Sequence, residues 1–537
     1  MKIKILNLFI ISLLLFGCND DAFLNRAPID FLSPDVFKTE RDIREAVNGI
    51  YAALISDKEE PLWTDFIVDN GYYVGYEAMW NGSFNSETDL VQRKWLRNYK
   101  IILRANTVLH YIDQVKMDQE VYNQFMGEAK FLRAYAYFDL AEFYGDVPLR
   151  LKPESLDEAD KPLTSKSQLL EFIYDELKDA AELLPAVYDA KDRGRATKGA
   201  AWGILARAYL YNKEYEKAIE YCQKVKDLHL YSLMDNYSHL FLMAYESVNS
   251  ETIFDMQYEF NARELGLSNN WYTYFVMWSG YQILQNLEAE FYTINGKSIT
   301  DPTNDMYVTT VNPQIYNQSY LEAGGYDNRF TNRDPRLHYT IIVPYSFYRP
   351  ERVTGAFTAY IPNALKTANF TSFRVRKYVD HTDNYVNNIS GVNPIILRYA
   401  DILLMEAEAW IELGVYDDAY VRNLIDQVRQ RPSVMMPKVE TAEGTNLGQE
   451  VMRDIVRHER RVEFALEGLR IFDIRRWDIG TEAYSDAYGY RPEKLQTKSA
   501  NYDLYVYKTR SFDSFKSYLW PIPKAETDSN NAITNQE

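Results

Sequence analysis

Between residues 197 and 227 the chain reads as two short helices whose contact face is set by side-chain size. Trp202, Leu205, Ala206 and Tyr209 share one helical face, and Ala218 follows in the next helix. Residues three and four apart lie on one stripe of a helix, so these positions meet the same neighbour. Small residues let two helices approach, and large ones fill the groove between them. A looser copy comes later, where Ala409-Trp410 with Tyr416 and Ala419 repeats the spacing of Ala208-Tyr209 with Tyr215 and Ala218. Such pairs direct the chain into packed helices. Copies so far apart exclude a simple tandem solenoid, in which each repeat touches only the next in sequence.

The spacing is that of the tetratricopeptide repeat, W-x2-L-G-x2-Y followed by A, with Ala206 in place of the glycine. Apolar periodicity predicts further helices at 87–116, 119–143, 165–184, 197–212, 214–227, 396–413, 415–430 and 448–467. Another starts at Thr39, where Asp42 three residues on approximates a capping box, and carries Ile43, Val47, Ile50 and Leu54 on one face. The helix at 119–143 stops at Gly145 with Pro148 beyond. Residues 231–394 differ. They are rich in Asn, Tyr, Gly and Pro, and hold only short strand-like runs, Tyr339 to Val343 and Phe373 to Val379. The chain therefore divides into a helical region at 18–230, a loop-rich insertion with small hairpins at 231–394, and a second helical region with an irregular tail at 395–537.

Ahead of these lies a leader at 1–17. Lys2 and Lys4 precede an apolar run, Ile5 to Phe16, that is too short to span a bilayer and suits a secretory signal. Leu15-Phe16-Gly17-Cys18 resembles a lipobox, which implies cleavage before Cys18 and lipidation of that cysteine. More than one acyl chain makes a stable anchor. Asp20-Asp21 resembles the acidic signal that sends Bacteroides-type lipoproteins to the outer face of the outer membrane. With Cys18 lipidated, Cys222 has no disulfide partner and reads as a small buried residue of an amphipathic helix.

The net charge of −18 argues against nucleic acid, whose binding is driven by phosphate neutralisation. Six histidines make a metal cluster an unsupported reading, and no G-x-S-x-G, H-E-x-x-H or phosphate-binding glycine loop is present. No cofactor, metal or catalytic residue is expected. The charge-dense stretch Glu459 to Trp477 interleaves Arg and Glu with an apolar stripe of Val462, Ala465, Leu469 and Phe472, which reads as structural ion pairing.

Several stretches, in order, resemble one family, the SusD/RagB outer-membrane lipoproteins of nutrient uptake. They are Gly127-Glu128-Ala129-Lys130-Phe131-Leu132-Arg133-Ala134-Tyr135 running on to Tyr144-Gly145-Asp146-Val147-Pro148-Leu149, Asn332-Arg333-Asp334-Pro335-Arg336-Leu337, His458-Glu459-Arg460-Arg461 on through Phe472-Asp473-Ile474-Arg475-Arg476-Trp477, and Leu519-Trp520-Pro521-Ile522-Pro523-Lys524. Arg398-Tyr399-Ala400-Asp401 is a weaker match. The resemblance implies a mainly α fold, with tetratricopeptide-type helix pairs supporting a less regular ligand-binding half. It also implies a non-enzymatic surface protein that captures nutrients, most often glycans, and passes them to a SusC-like TonB-dependent transporter. Two alternatives stay open: a peptide-binding protein of the same architecture, and a periplasmic repeat scaffold that binds proteins.

For a glycan the aromatic content matters, because a sugar presents a C–H face that stacks on Tyr or Trp while amides and carboxylates bond its hydroxyls. Rigid rings cost little side-chain entropy. Two loops fit. One carries Tyr72, Tyr73, Tyr76, Trp80 and Asn81; the other carries Trp271, Tyr272, Tyr274, Trp278 and Tyr281. All but Tyr72 are the candidate ligand contacts.

Overall fold

The computed structural model describes residues 37–57, 61–260, 280–299, 301, 307–308, 315–316, 330, 332–343, 371–380, 390–490, 504–510, 513 and 518–533. Cys18 and the leader lie outside them. The main helices are α1 (Glu40–Leu54), α2 (Asp89–Tyr111), α3 (Gln119–Tyr144), α4 (Lys166–Leu183), α5 (Lys198–Tyr211), α6 (Tyr215–Asp227), α7 (Tyr399–Leu413), α8 (Asp418–Arg429), α9 (Gln449–Glu463) and α10 (Arg470–Trp477). Strands come as short pairs. We label β1 (Gly71–Tyr73), β2 (Thr252–Asp255), β3 (Tyr281–Ile283), β4 (Ile341–Ile342), β5 (Arg374–Val375), β6 (Ile395–Arg398), β7 (Ala487–Tyr490) and β8 (Leu504–Lys508).

Helix ends follow local chemistry. At α1 the Thr39 hydroxyl accepts from the Asp42 amide, and the Asp42 carboxylate accepts from the Thr39 amide at 2.8 Å, closing the expected capping box. α3 stops at Gly145, whose φ of +77° suits glycine. The helix expected over 448–467 ends earlier, at Glu463. Leu466 and Gly468 both turn to positive φ, and a Cβ on Gly468 would stand 2.6 Å from the Pro61 carbonyl oxygen. The chain therefore kinks there and restarts as α10.

Each helix from α1 to α7 packs on its successor, and α7 also packs on α8 and α9. The two helix-pair copies thus meet directly through α6 and α7, although the insertion separates them in sequence. Leu205, Ala206, Tyr209 and Ala218 are buried in this array, as the spacing predicts, while Trp202 is half-buried. The second copy is looser in fact as well as in pattern. Ala409 is buried, but Ala419 is exposed, and α8 packs instead through Val421, Leu424, Ile425 and Val428. The two strand-like runs of the insertion pair as β4 and β5, with Ile341 opposite Val375. β2 pairs with β6, Asp255 opposite Ile395.

The charged motif residues form buried networks. Arg336, Lys377, Arg398, Arg429 and Arg431 interlock with Glu251, Asp334, Glu459, Glu463 and Glu467. Among the described residues this makes five cations and five anions. At its centre the Glu463 carboxylate accepts from Arg398, Arg336 and Arg431 at 2.7, 2.8 and 2.9 Å. A second set joins Arg207, Arg460 and Arg476 to Asp401, Glu408 and Asp473. A third joins Arg461 and Arg470 to Asp69 and Glu290. Burial disfavours the charged form of a carboxylate. For Asp69 the guanidinium groups of Arg461 and Arg470 outweigh burial and hold it at about 2. These groups are consumed in structure, as the sequence reading of the Glu459 to Trp477 stretch expects.

Candidate functional site

Tyr72 and Tyr73 of the first aromatic loop meet Tyr281 of the second through one antiparallel ladder. β1 lies beside β3 with Gly71 opposite Ile283, Tyr72 opposite Gln282 and Tyr73 opposite Tyr281. Alternation along a strand sends Tyr73 and Tyr72 to opposite faces. On one face Tyr73 and Tyr281 stack with centroids 4.2 Å apart and planes 5° apart. Tyr76 closes on both rings edge-on, and its hydroxyl lies 3.1 Å from that of Tyr281. Phe66 meets Tyr281 at 4.7 Å, and Trp63 continues the cluster to Trp520 in the core. Gly71 permits this, since a Cβ there would stand 2.5 Å from the Phe66 ring. Tyr73 is the half-buried, outer member of the cluster. Its ring edges face Gly75 and Gly280, where a Cβ would come within 2.5 and 2.7 Å.

On the opposite face Tyr72 packs edge-on against Trp80 and Tyr507. Trp80 is 1% exposed; its Nε1 donates to the Gly71 carbonyl at 3.2 Å, and the Arg510 guanidinium lies 4.5 Å over the ring. The expectation of Trp80 as a stacking platform is corrected here: both its polar tip and its ring are used to brace β1. Tyr76 and Tyr281, 6% and 3% exposed, are likewise enclosed by their aromatic partners and do not present free faces. The first aromatic loop is not irregular throughout: the stretch 57–86 contains the 3-10 turn Leu62–Phe66, β1 and the short helix Glu77–Asn81. Asn81 is half-buried, and its side-chain oxygen accepts from the Ser83 amide at 2.9 Å. Trp271, Tyr272, Tyr274 and Trp278 lie outside the described residues. Among the described residues no group of His, Cys, Asp or Glu is placed to hold a metal ion.

Sequence reasoning passed over a concavity elsewhere in the fold. A cleft of about 540 Å³ opens between the turn at 186–197, the segment 230–257 and residues 393–395. Its walls come from three separate parts of the chain, so no local pattern marks it.

A family model described as "SusD family" matches residues 239–537, and one described as "Starch-binding associating with outer membrane" matches 22–210. The chain belongs to the SusD family. A SusD-like protein of Formosa agariphila is 25% identical over 569 residues, covering 99% of both chains. A SusD-like carbohydrate binding protein of Bacteroides fragilis superposes with a TM-score of 0.79 at 26% identity, over 92% of this chain and 99% of that one. A surface glycan-binding protein of Bacteroides thetaiotaomicron, solved with laminarihexaose, shares the fold at a TM-score of 0.63 and 20% identity, over 93% of this chain and 99% of that one. The SusD-like fold is thus the mainly helical one expected, with helix pairs beneath short strand pairs.

Proposed function

We propose that this SusD-family chain is a non-catalytic, surface-exposed outer-membrane lipoprotein, anchored through Cys18, that binds a glycan and hands it to a SusC-like TonB-dependent transporter. The observation that carries the binding part is the Tyr73–Tyr281 register. It brings Tyr73 and Tyr281, distant in sequence, into one rigid aromatic stack in which Tyr73 stays partly exposed. Carbohydrate-binding relatives of the same fold lend weight to the ligand class. A pre-stacked tyrosine loses little freedom when a sugar face settles beside it. Binding by stacking and hydrogen bonding breaks no covalent bond and needs no cofactor. The core carboxylates Glu251, Glu459 and Glu463 already serve as ion-pair partners.

The test is native affinity electrophoresis of the soluble chain from residue 19 through gels containing single polysaccharides. A sugar covering about 50 Å² of ring, at about 25 cal/mol per Å², contributes ~1.3 kcal/mol, so Tyr73→Ala should weaken retardation about tenfold. Trp80→Ala serves as the contrast. It removes a buried brace and should cost about 3–5 kcal/mol of stability. Retardation untouched by Tyr73→Ala removes the stack from the site, and no retardation on any neutral polysaccharide refutes the glycan reading. For the anchor, radiolabelled palmitate should enter the wild-type chain in cells and not Cys18→Ala.

A further inference from the structure

We propose that the cleft between the 186–197 turn, the 230–257 segment and residues 393–395 is a second glycan-binding site, separate from the Tyr73 stack; this rests on the glycan reading of the protein. Its polar wall is a connected set of planar groups. The Asp255 carboxylate accepts from the Gln257 amide at 2.6 Å and from the Asn393 amide at 3.3 Å. Asn393 is itself held on both sides: its side-chain oxygen accepts from the Tyr258 amide at 2.7 Å, and its backbone N–H donates to Glu246 at 3.0 Å. These groups are oriented before any ligand arrives, which spares the ordering cost of binding.

Tyr188 and Tyr231 supply the ring surfaces, with the Tyr231 hydroxyl fixed 3.2 Å from Thr197 Oγ1. Arg193, an exposed member of the lining, donates to the Glu246 carbonyl at 3.5 Å. Gly194 brings this turn against the other wall. Its φ is +87°, and a Cβ there would stand 2.3 Å from the Gln257 side chain. The cleft size falls within the roughly 300–1,000 Å³ of small-ligand sites.

The chemistry favours a neutral sugar over a peptide or a polyanion. The lining carries Arg193 and Arg195 beside Glu246 and Asp255, and Arg195 is already paired with Glu128 and Asp192 at 2.9 Å, so the cleft holds no surplus positive charge for a polyanion. A peptide adding to β2 would need its free edge. One edge of β2 is taken by β6, and the amides of Glu251 and Thr252 already donate to the Asn249 side chain at 3.0 and 3.1 Å. Amides, a carboxylate and a guanidinium beside tyrosines instead match a row of sugar hydroxyls and C–H faces. Two sites on one chain suit a polymer, because binding at one raises the effective concentration at the other.

The experiment is calorimetric titration of the soluble chain with laminarihexaose, maltohexaose, cellohexaose, mannohexaose and xylohexaose, beside affinity gels containing the matching polysaccharides. Two variants alter the cleft without touching the core, Arg193→Ala/Gln257→Ala and Ser247→Trp, all at exposed positions. The wild type should bind two molecules of the preferred hexaose. Each cleft variant should bind one, at the unaltered affinity of the Tyr73 site, and its apparent affinity for the polymer should fall at least tenfold. A single wild-type site lost in both cleft variants and kept in Tyr73→Ala also supports the cleft. A hexaose that binds all variants with wild-type stoichiometry and affinity overturns the cleft while leaving the glycan function intact. A wild type that binds none of the five overturns the glycan reading, and the second site with it.

Discussion

Glu463 sits where three guanidinium groups converge, and the charge count around it makes a quantitative prediction possible. Glu463→Gln keeps side-chain volume and some hydrogen bonding but removes one of five negative charges from a network with five positive ones. The site is fully buried, so solvent cannot screen the surplus charge. Breaking a buried pair by removing one partner costs about 3–5 kcal/mol, mostly from the uncompensated charge left behind. With an unfolding slope of about 3 kcal/mol per M urea, the midpoint should fall by about 1–1.7 M. Tryptophan fluorescence during urea unfolding at neutral pH measures this. Glu463→Gln/Arg431→Met removes one charge of each sign and should recover part of the loss, a positive coupling in a double-mutant cycle. Glu45→Gln, which cuts an exposed pair with Arg41, should move the midpoint by less than about 0.3 M. The reasoning fails if Glu463→Gln unfolds within 0.3 M of wild type, or if adding Arg431→Met deepens the loss by its full separate cost.

Three further outcomes follow from the same packing. Burial raises Asp401, but Arg460 and Arg207 outweigh it and leave its carboxyl at about 2, below the usual 3.8. The depressed value means its stabilisation is present above pH 3.8 and lost as pH falls towards 2. Urea midpoints should therefore drop over that window in wild type and drop less in Asp401→Asn; equal drops would refute the assignment. Gly203→Ala would place a Cβ 2.3 Å from Leu397 Cδ2, so the buried Leu397 side chain must repack at a cost of about 1–3 kcal/mol, read as a lower melting temperature. Cys222 is buried and its thiol is pushed up by that burial, so a disulfide reagent should label it more than 100-fold slower in native buffer than in urea; equal rates would show an open helix face.

The helices were legible because their signals are local. Thr39 with Asp42, the glycine at 145 and the Leu205–Tyr209 stripe each act within a few residues, and each appears where the spacing places it. The break after Glu463 was hidden because it depends on Pro61, far away in sequence, pressing on Gly468. The charge role of Glu459 and Arg460 was readable from their interleaving with apolar positions, although their partners at 336, 429, 401 and 408 were not. At the site, composition could say that Tyr73, Tyr76, Trp80 and Tyr281 were unusual, but not which faced inward. That is decided by the β1–β3 pairing, by Arg510 arriving over Trp80 from the tail, and by Phe66 filling the space beside Gly71. The cleft at Asp255 was illegible for the same reason, since its groups are ordinary polar residues until the chain brings them together.

The β2–β6 pair has a consequence for how such a chain can change. Asp255 and Ile395 sit side by side, so the chain leaves β2 and returns at β6 at neighbouring points, with 256–394 between them. Closing a loop costs only about 0.6 kcal/mol more for each doubling of its length. The array can therefore carry inserts of very different size at almost constant expense, and the insert should be transferable between relatives as a cassette. The fasteners are already visible: Asp334, Arg336 and Lys377 are the insert's own contributions to the charge-balanced core. A cassette that brings its own aspartate, arginine and lysine to those posts keeps the core neutral. One that omits them strands buried carboxylates in the host.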